Sequence, residues 1–361
     1  MDQHTKQSMV MNNEGSKQHF EILDGLRGIA AVFVVAFHFI EMTISDYSKI
    51  LIGHSFLAVD FFFCLSGFVI AYSYDGRIKK LGRVQFFKLR LIRLHPLVVL
   101  GTLLGLLGML LDPFTAHGKL PGYGEIIPMV ISSILLIPFP VLAERGFALF
   151  ALNAPAWSLF WEYVANFFYA LIFYRLKRNV LIAMVGISAV LIGWLIYKSG
   201  SLTGGWNNKT FWDGGIRVSY SFLAGILVYR FNWIIKNKLG FIGITALLVL
   251  AFIMPFSEWN WISEPIVVLF YFPLLVALGA GASLAPNLKK LCNFSGKISY
   301  PLYMAHYSVI WIFLNFYNQN KPVAYINLII ILGVIILIAF SYLVLIIYDI
   351  PLRNWLKRRF L

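Results

Sequence analysis

The sequence predicts an all-α polytopic membrane bundle: about ten transmembrane helices plus one re-entrant or interfacial segment. Three observations carry that prediction. Of 361 residues, 60% are hydrophobic and only 13% charged, with a mean hydropathy of +0.77. A soluble domain so composed could not cover its surface. Apolar runs near the length that crosses a bilayer as a helix recur along the chain. Lys and Arg collect in alternate connecting segments, as the positive-inside rule requires.

Residues 1–20 are polar and aperiodic and read as a flexible cytoplasmic tail. They are not a signal peptide, because the apolar run that follows carries Arg27 and His38 and no small-residue cleavage site. Spanning helices are expected at about 21–42, 57–75, 92–111, 157–174, 180–197, 216–232, 241–255, 265–283, 298–317 and 325–348, all within one membrane domain, 21–350. A basic cytoplasmic tail, 351–361, closes the sequence. The stretch 124–140 is apolar, but Pro128, Pro138 and Pro140 bracket a short run. Charge decides against its spanning. With ten spans, 22 Lys/Arg lie on the side of the two termini and seven on the other, Arg217 among the seven. Both termini are therefore expected in the cytoplasm, the chain lying multi-pass in a bacterial inner membrane. That loop bias accounts for the net charge of +14, so no nucleic-acid partner is needed. Cys64 falls in an expected helix and Cys292 in an expected loop, too far apart in sequence to suggest a disulfide or a metal pair.

The first apolar run, EILDGLRGIAAVFVVAFHFIE, has a polar stripe. Arg27 and His38 are eleven residues apart, about three helical turns, so they share one face about 16 Å apart along the axis. Asp24 lies near the same stripe. Ionisable groups at membrane depth face protein or a wet cavity, so this stripe reads as a polar seam inside the bundle. Between Arg77 and Arg93 there are seven Lys/Arg and no acid. Such a loop orients the protein and touches anionic lipid. Its last pair, Arg90 and Arg93, shares a helix face and suits a phosphorylated ligand; Lys88 is taken with it. In the next helix, Ser66 and Gly67 permit close approach of a backbone or a ligand chain, with packing an equal reading. Asp60 opens that helix as an exposed first-turn acid, a candidate for the outer vestibule. In NAPAWSLFWEYVANFFYAL, Glu162 and Asn166 share a face, and Glu162 is expected beside His38, fixing its tautomer. In KISYPLYMAHY, Ser299 reads as a cap, Tyr303 and His306 as one face, and His306 as lying nearer the cytoplasmic half. Gly101 and Gly105 read as helix packing. No metal-site pattern, Walker motif or GxGxxG occurs.

These pieces, in this order, resemble the membrane acyltransferase-3 family of bacterial sugar O-acyltransferases. The matching stretches are LDGLRGIAA with His38, FFFCLSGF, the Arg90-Leu-Ile-Arg93 pair before His95 and Pro96, AWSLFWE, FLAG at 222–225, and ISYPLYMAH. The resemblance runs from about residue 20 to residue 350. It implies a ten-helix bundle that uses cytoplasmic acyl-CoA, most often acetyl-CoA, as donor substrate, with no permanently bound cofactor. The acceptor would be a hydroxyl of a carbohydrate such as O-antigen or exopolysaccharide. Many relatives carry a further hydrolase-like domain; this sequence reads as the stand-alone form. By position, His38 and Arg27, with Glu162, would be catalytic. Arg90 and Arg93, with Lys88 and Ser66, would hold the donor. Asp60, Trp157, Asn166, Tyr303 and His306 are candidate acceptor contacts. The rival class is a transporter or flippase of an anionic solute with His38 as a proton relay. An inverted repeat would favour it, and none is visible.

Overall fold

A computed structural model describes residues 19–115 and 121–361. The expected tail 1–20 therefore falls, except for its last two residues, outside the described residues. Every principal element is a helix: α1 Glu21–Glu41, α2 Ala58–Tyr74, α3 Arg83–Leu110, α4 Tyr123–Leu135, α5 Ala156–Leu171, α6 Arg178–Ser199, α7 Phe211–Arg230, α8 Gly240–Phe252, α9 Asn260–Gly281, α10 Lys289–Asn320 and α11 Ile326–Phe360. Each expected span finds a helix. By length and composition, six of them (α1, α2 extended back to Ser55, α3, α6, α9 and α11) are able to cross a membrane. The doubtful stretch 124–140 holds only α4, which ends in left-handed Leu136. Its thirteen residues rise about 20 Å, short of a full crossing.

Two close contacts organise the bundle. α1 lies along α10, and a Cβ on Gly28 would overlap the Ser295 backbone and hydroxyl. Ser295 donates to the Gly25 carbonyl at 3.0 Å, fixing the two helices in register. α2 lies along α7 in the same way: Gly67 faces the Phe222 carbonyl, and Gly225 faces the Cys64 carbonyl. The glycines of FFFCLSGF and FLAG thus meet each other's helices, so Gly67 serves packing. Gly101 and Gly105 also pack, but against Met304 of α10 and the Leu152–Asn153 turn. Phe61, Phe68, Phe86, Tyr169, Phe222, Phe252 and Phe272 fill the interior between these helices.

Three helices are longer than the sequence suggests; α3 begins at Arg83, where residue 92 was expected. α10 begins at Lys289, nine residues before the expected start, because the polar run KKLCNFSGK is covered by α1 rather than left in a loop. Cys292 is consequently helical; both it and Cys64 are buried free thiols. α11 does not stop at residue 348. Pro351 removes a backbone donor and would clash with the carbonyl four residues back. The helix answers with a π turn at Leu345–Asp349 and continues to Phe360. The expected basic tail 351–361 is therefore the last turns of α11, packed on α3, where Tyr348 donates to the Pro96 carbonyl at 3.0 Å.

Candidate active site

The polar stripe of α1 faces protein, as its cost in lipid demands. Arg27 Nε donates to Ser299 Oγ at 3.0 Å, and an Nη donates to the Gly296 carbonyl at 2.9 Å and lies 3.1 Å from Asp24. Ser299 is therefore no helix cap: it sits mid-α10 and holds the guanidinium. Asp24 also meets His19 at 2.9 Å. Arg27 borders a cavity of about 630 Å³ enclosed by α1, α2, α3, α5, α10 and α11, within the size range of small-molecule sites.

Six Lys/Arg line this cavity (Arg27, Arg90, Arg93, Lys297, Arg353, Lys357) against three carboxylates (Asp24, Glu162, Asp349). Arg90 is buried and donates to Glu162 Oε1 at 2.8 Å; Ser66 donates to the same oxygen at 2.9 Å. Arg353 pairs with Asp349 at 2.7 Å. Arg93, Lys297 and Lys357 line the wall with no side-chain hydrogen bond or salt bridge among the described residues, although Asp349 lies within reach of the Arg93 charge. Their charge is unspent, and an anion entering here meets a surplus of donors. At the far end, Ser158 and the Tyr303 hydroxyl stand 2.8 Å apart, and Phe62 packs edge-on against Tyr303.

His38 lies beyond those rings and is not in the cavity wall. Its ring stacks on His306, centroids 5.3 Å apart at 17°, and His306 in turn lies 5.9 Å from Tyr303. His306 is thus level with His38, not nearer the other end. Each sits seventeen residues along its helix, from Lys289 and Glu21 respectively; the misplaced start of α10 made the difference. His306 Nδ1 meets the Leu302 carbonyl at 3.1 Å, and its buried Nε2 has no hydrogen-bond partner among the described residues. His38 Nδ1 is bonded to Glu41, not to Glu162. Glu162 lies deeper along α5, where the Arg90 guanidinium takes it.

The remaining candidates divide. Asp60 is fully buried, not exposed: Arg217, also buried, grips both its oxygens at 2.6 and 3.2 Å. Arg217 is therefore no loop residue, and it leaves the outer charge group. Trp157 covers this pair, its ring 5.2 Å from the guanidinium carbon. Asn166 is buried and donates to the Glu162 carbonyl at 2.8 Å without reaching the cavity. Lys88 borders a separate apolar groove of about 590 Å³ between α3 and α11. Two residues is about 200° around a helix, so Lys88 points away from Arg90. Sequence reasoning missed Glu41, Lys297, Arg353 and Lys357. The spacing of Glu41 from His38, three residues, was a usable signal; nothing local tied 353 and 357 to the site.

Comparison with known proteins places this arrangement. A family model described as an acyltransferase domain, acyltransferase-3, matches residues 20–348. "Protein 2 in picA locus" of Rhizobium radiobacter is 35% identical over 191 residues, 50% of this chain and 96% of that protein. The O-acetyltransferase OatA of Staphylococcus aureus is 24% identical over 363 residues, 94% of this chain. The chain spans 58% of the length of OatA. No solved structure matches. The chain therefore belongs to the acyltransferase-3 family, and its helical bundle is an acyltransferase domain.

Proposed function

We propose that this protein transfers an acyl group, acetyl in the simplest case, from cytoplasmic acyl-CoA to a hydroxyl of a cell-surface or exported carbohydrate. The observation that supports it most is the cation surplus in the cavity, with Arg93, Lys297 and Lys357 making no side-chain hydrogen bond or salt bridge among the described residues. The phosphates of coenzyme A need such a mouth, and Arg is the residue suited to gripping them. The acetyl group is supported by the name of OatA; the carbohydrate class comes from the family resemblance. The protein would lie in the bacterial inner membrane with both termini and the basic mouth facing the cytoplasm.

In this reading the donor's phosphates sit against Arg93, with Arg90 behind it, and the pantetheine arm runs toward His38. Tyr303 and Phe62 stand between the cavity and the histidine stack, so their side chains move aside to admit the thioester. The acceptor approaches His38 from the side away from the cavity; the His38 side chain is 22% exposed. His38 takes the hydroxyl proton as the oxygen attacks the thioester carbonyl. The C–O bond forms, the C–S bond breaks with its electron pair leaving on sulfur, and the proton passes from His38 to the thiolate. Arg27 stabilises the arm or the charge gathering on the carbonyl oxygen.

Membranes containing the protein, given acetyl-labelled acetyl-CoA and cell glycans, should yield covalently labelled glycan. His38→Ala should abolish that label while the protein remains inserted. Uptake or export of an anionic solute without any acylated product would overturn the proposal in favour of transport.

A further inference from the structure

Around His38 a second arrangement is complete without the cavity. Glu41, one turn on along α1, receives His38 Nδ1 on one oxygen, and its other oxygen accepts from the Tyr47 hydroxyl at 2.7 Å. Tyr47 lies in the segment between α1 and α2, clamped edge-on by Phe37 and Phe256 at 5.3 and 5.5 Å. Burial first, and Glu41 second, push its hydroxyl well above the usual tyrosine range, so it remains a donor. Tyr47 donates to one oxygen of Glu41, and Glu41, as a carboxylate, accepts on the other as well. The proton it shares with His38 therefore belongs to the imidazole at Nδ1, and Nε2 carries the lone pair. A ring flip would exchange the two nitrogens. His306 stacked on one face and Tyr307 edge-on at 5.4 Å leave little room for one. His306 does not compete for the carboxylate: its Nδ1 is taken by the Leu302 carbonyl, and its Nε2 makes no hydrogen bond to Glu41.

We infer that Glu41, held by Tyr47, is the positioning residue of His38, fixing the Nδ1–H tautomer and presenting Nε2 as the reacting nitrogen. This assignment rests on the acyl transfer proposed above for its consequence, not for its geometry. In that transfer Nε2 takes the acceptor's proton and later returns it to sulfur. Glu41 ends unchanged, having balanced the transient positive charge on the ring.

The test uses the intact protein with ¹⁵N-histidine, the His38 signals being identified by their loss in His38→Gln. The expected result is an Nδ1–H tautomer in the unaltered protein and its replacement by the Nε2–H form in Glu41→Ala. In the labelling assay, Glu41→Ala should lower kcat about 100-fold with KM for acetyl-CoA unchanged, and Glu41→Asp should recover most of the loss. A His38 that is Nε2–H in the unaltered protein overturns the assignment, as does a Glu41→Ala protein with undiminished kcat. If the unaltered protein acylates no glycan, the acyl-transfer reading fails by itself, and the tautomer still decides whether Glu41 positions His38.

Discussion

Arg90 and Arg93 are three residues apart and do different work. Arg90 is spoken for: Glu162 binds it in a nearly dry wall. Arg93 keeps its donors free. Arg93→Ala should therefore raise KM for acetyl-CoA about tenfold or more, the worth of a charge-assisted hydrogen bond, without altering thermal unfolding in detergent. Arg90→Ala should behave otherwise, lowering stability by about 3 kcal/mol by leaving Glu162 without its cation. Adding Glu162→Gln should return part of that loss without restoring activity. Equal unfolding temperatures for the two single variants would contradict this division. At this scale much was legible in the sequence. The 3.6-residue period alone put Arg27 and His38 on one face, and the same period separates Lys88 from Arg90. What the sequence did not reveal was who pairs with whom. The i,i+3 spacing of His38 and Glu41 was there to be read, but only packed helices decide that Glu162 goes to Arg90 rather than to His38.

Among the elements, α10 and α11 brought the most that was unforeseen, for one reason. Apolar periodicity marks helices that face lipid or core, and it fades where a helix carries charge toward a polar cavity. KKLCNFSGK and the residues after Pro351 are such stretches. One holds Gly296 against Arg27 and carries Lys297 to the cavity; the other carries Arg353 and Lys357 there. Each helix thus contributes an unpaired lysine, Lys297 or Lys357, to the mouth. Replacing both by Ala should raise KM for acetyl-CoA about two- to fivefold at low salt, in keeping with exposed charges, and the difference should shrink as salt screens it. A KM unmoved at low salt would remove the mouth from the donor's path. α6 and α8, whose apolar runs are the plainest, were foreseen and have no part in the cavity.

For the molecule as a whole, the placement of the basic mouth implies an orientation. With the mouth in the cytoplasm, a tag after Leu361 should resist labelling by reagents confined to the periplasm and become reactive once the membrane is opened. Labelling from outside would invert the bundle and separate the cavity from its proposed donor. The buried Asp60–Arg217 pair bears on how such a bundle comes into being. Its members stand 157 positions apart, so during synthesis the acid of α2 reaches the bilayer long before the ribosome has made its counter-charge in α7. Arg217 then clasps α2 to α7, while α10, the partner of α1, is still to be made.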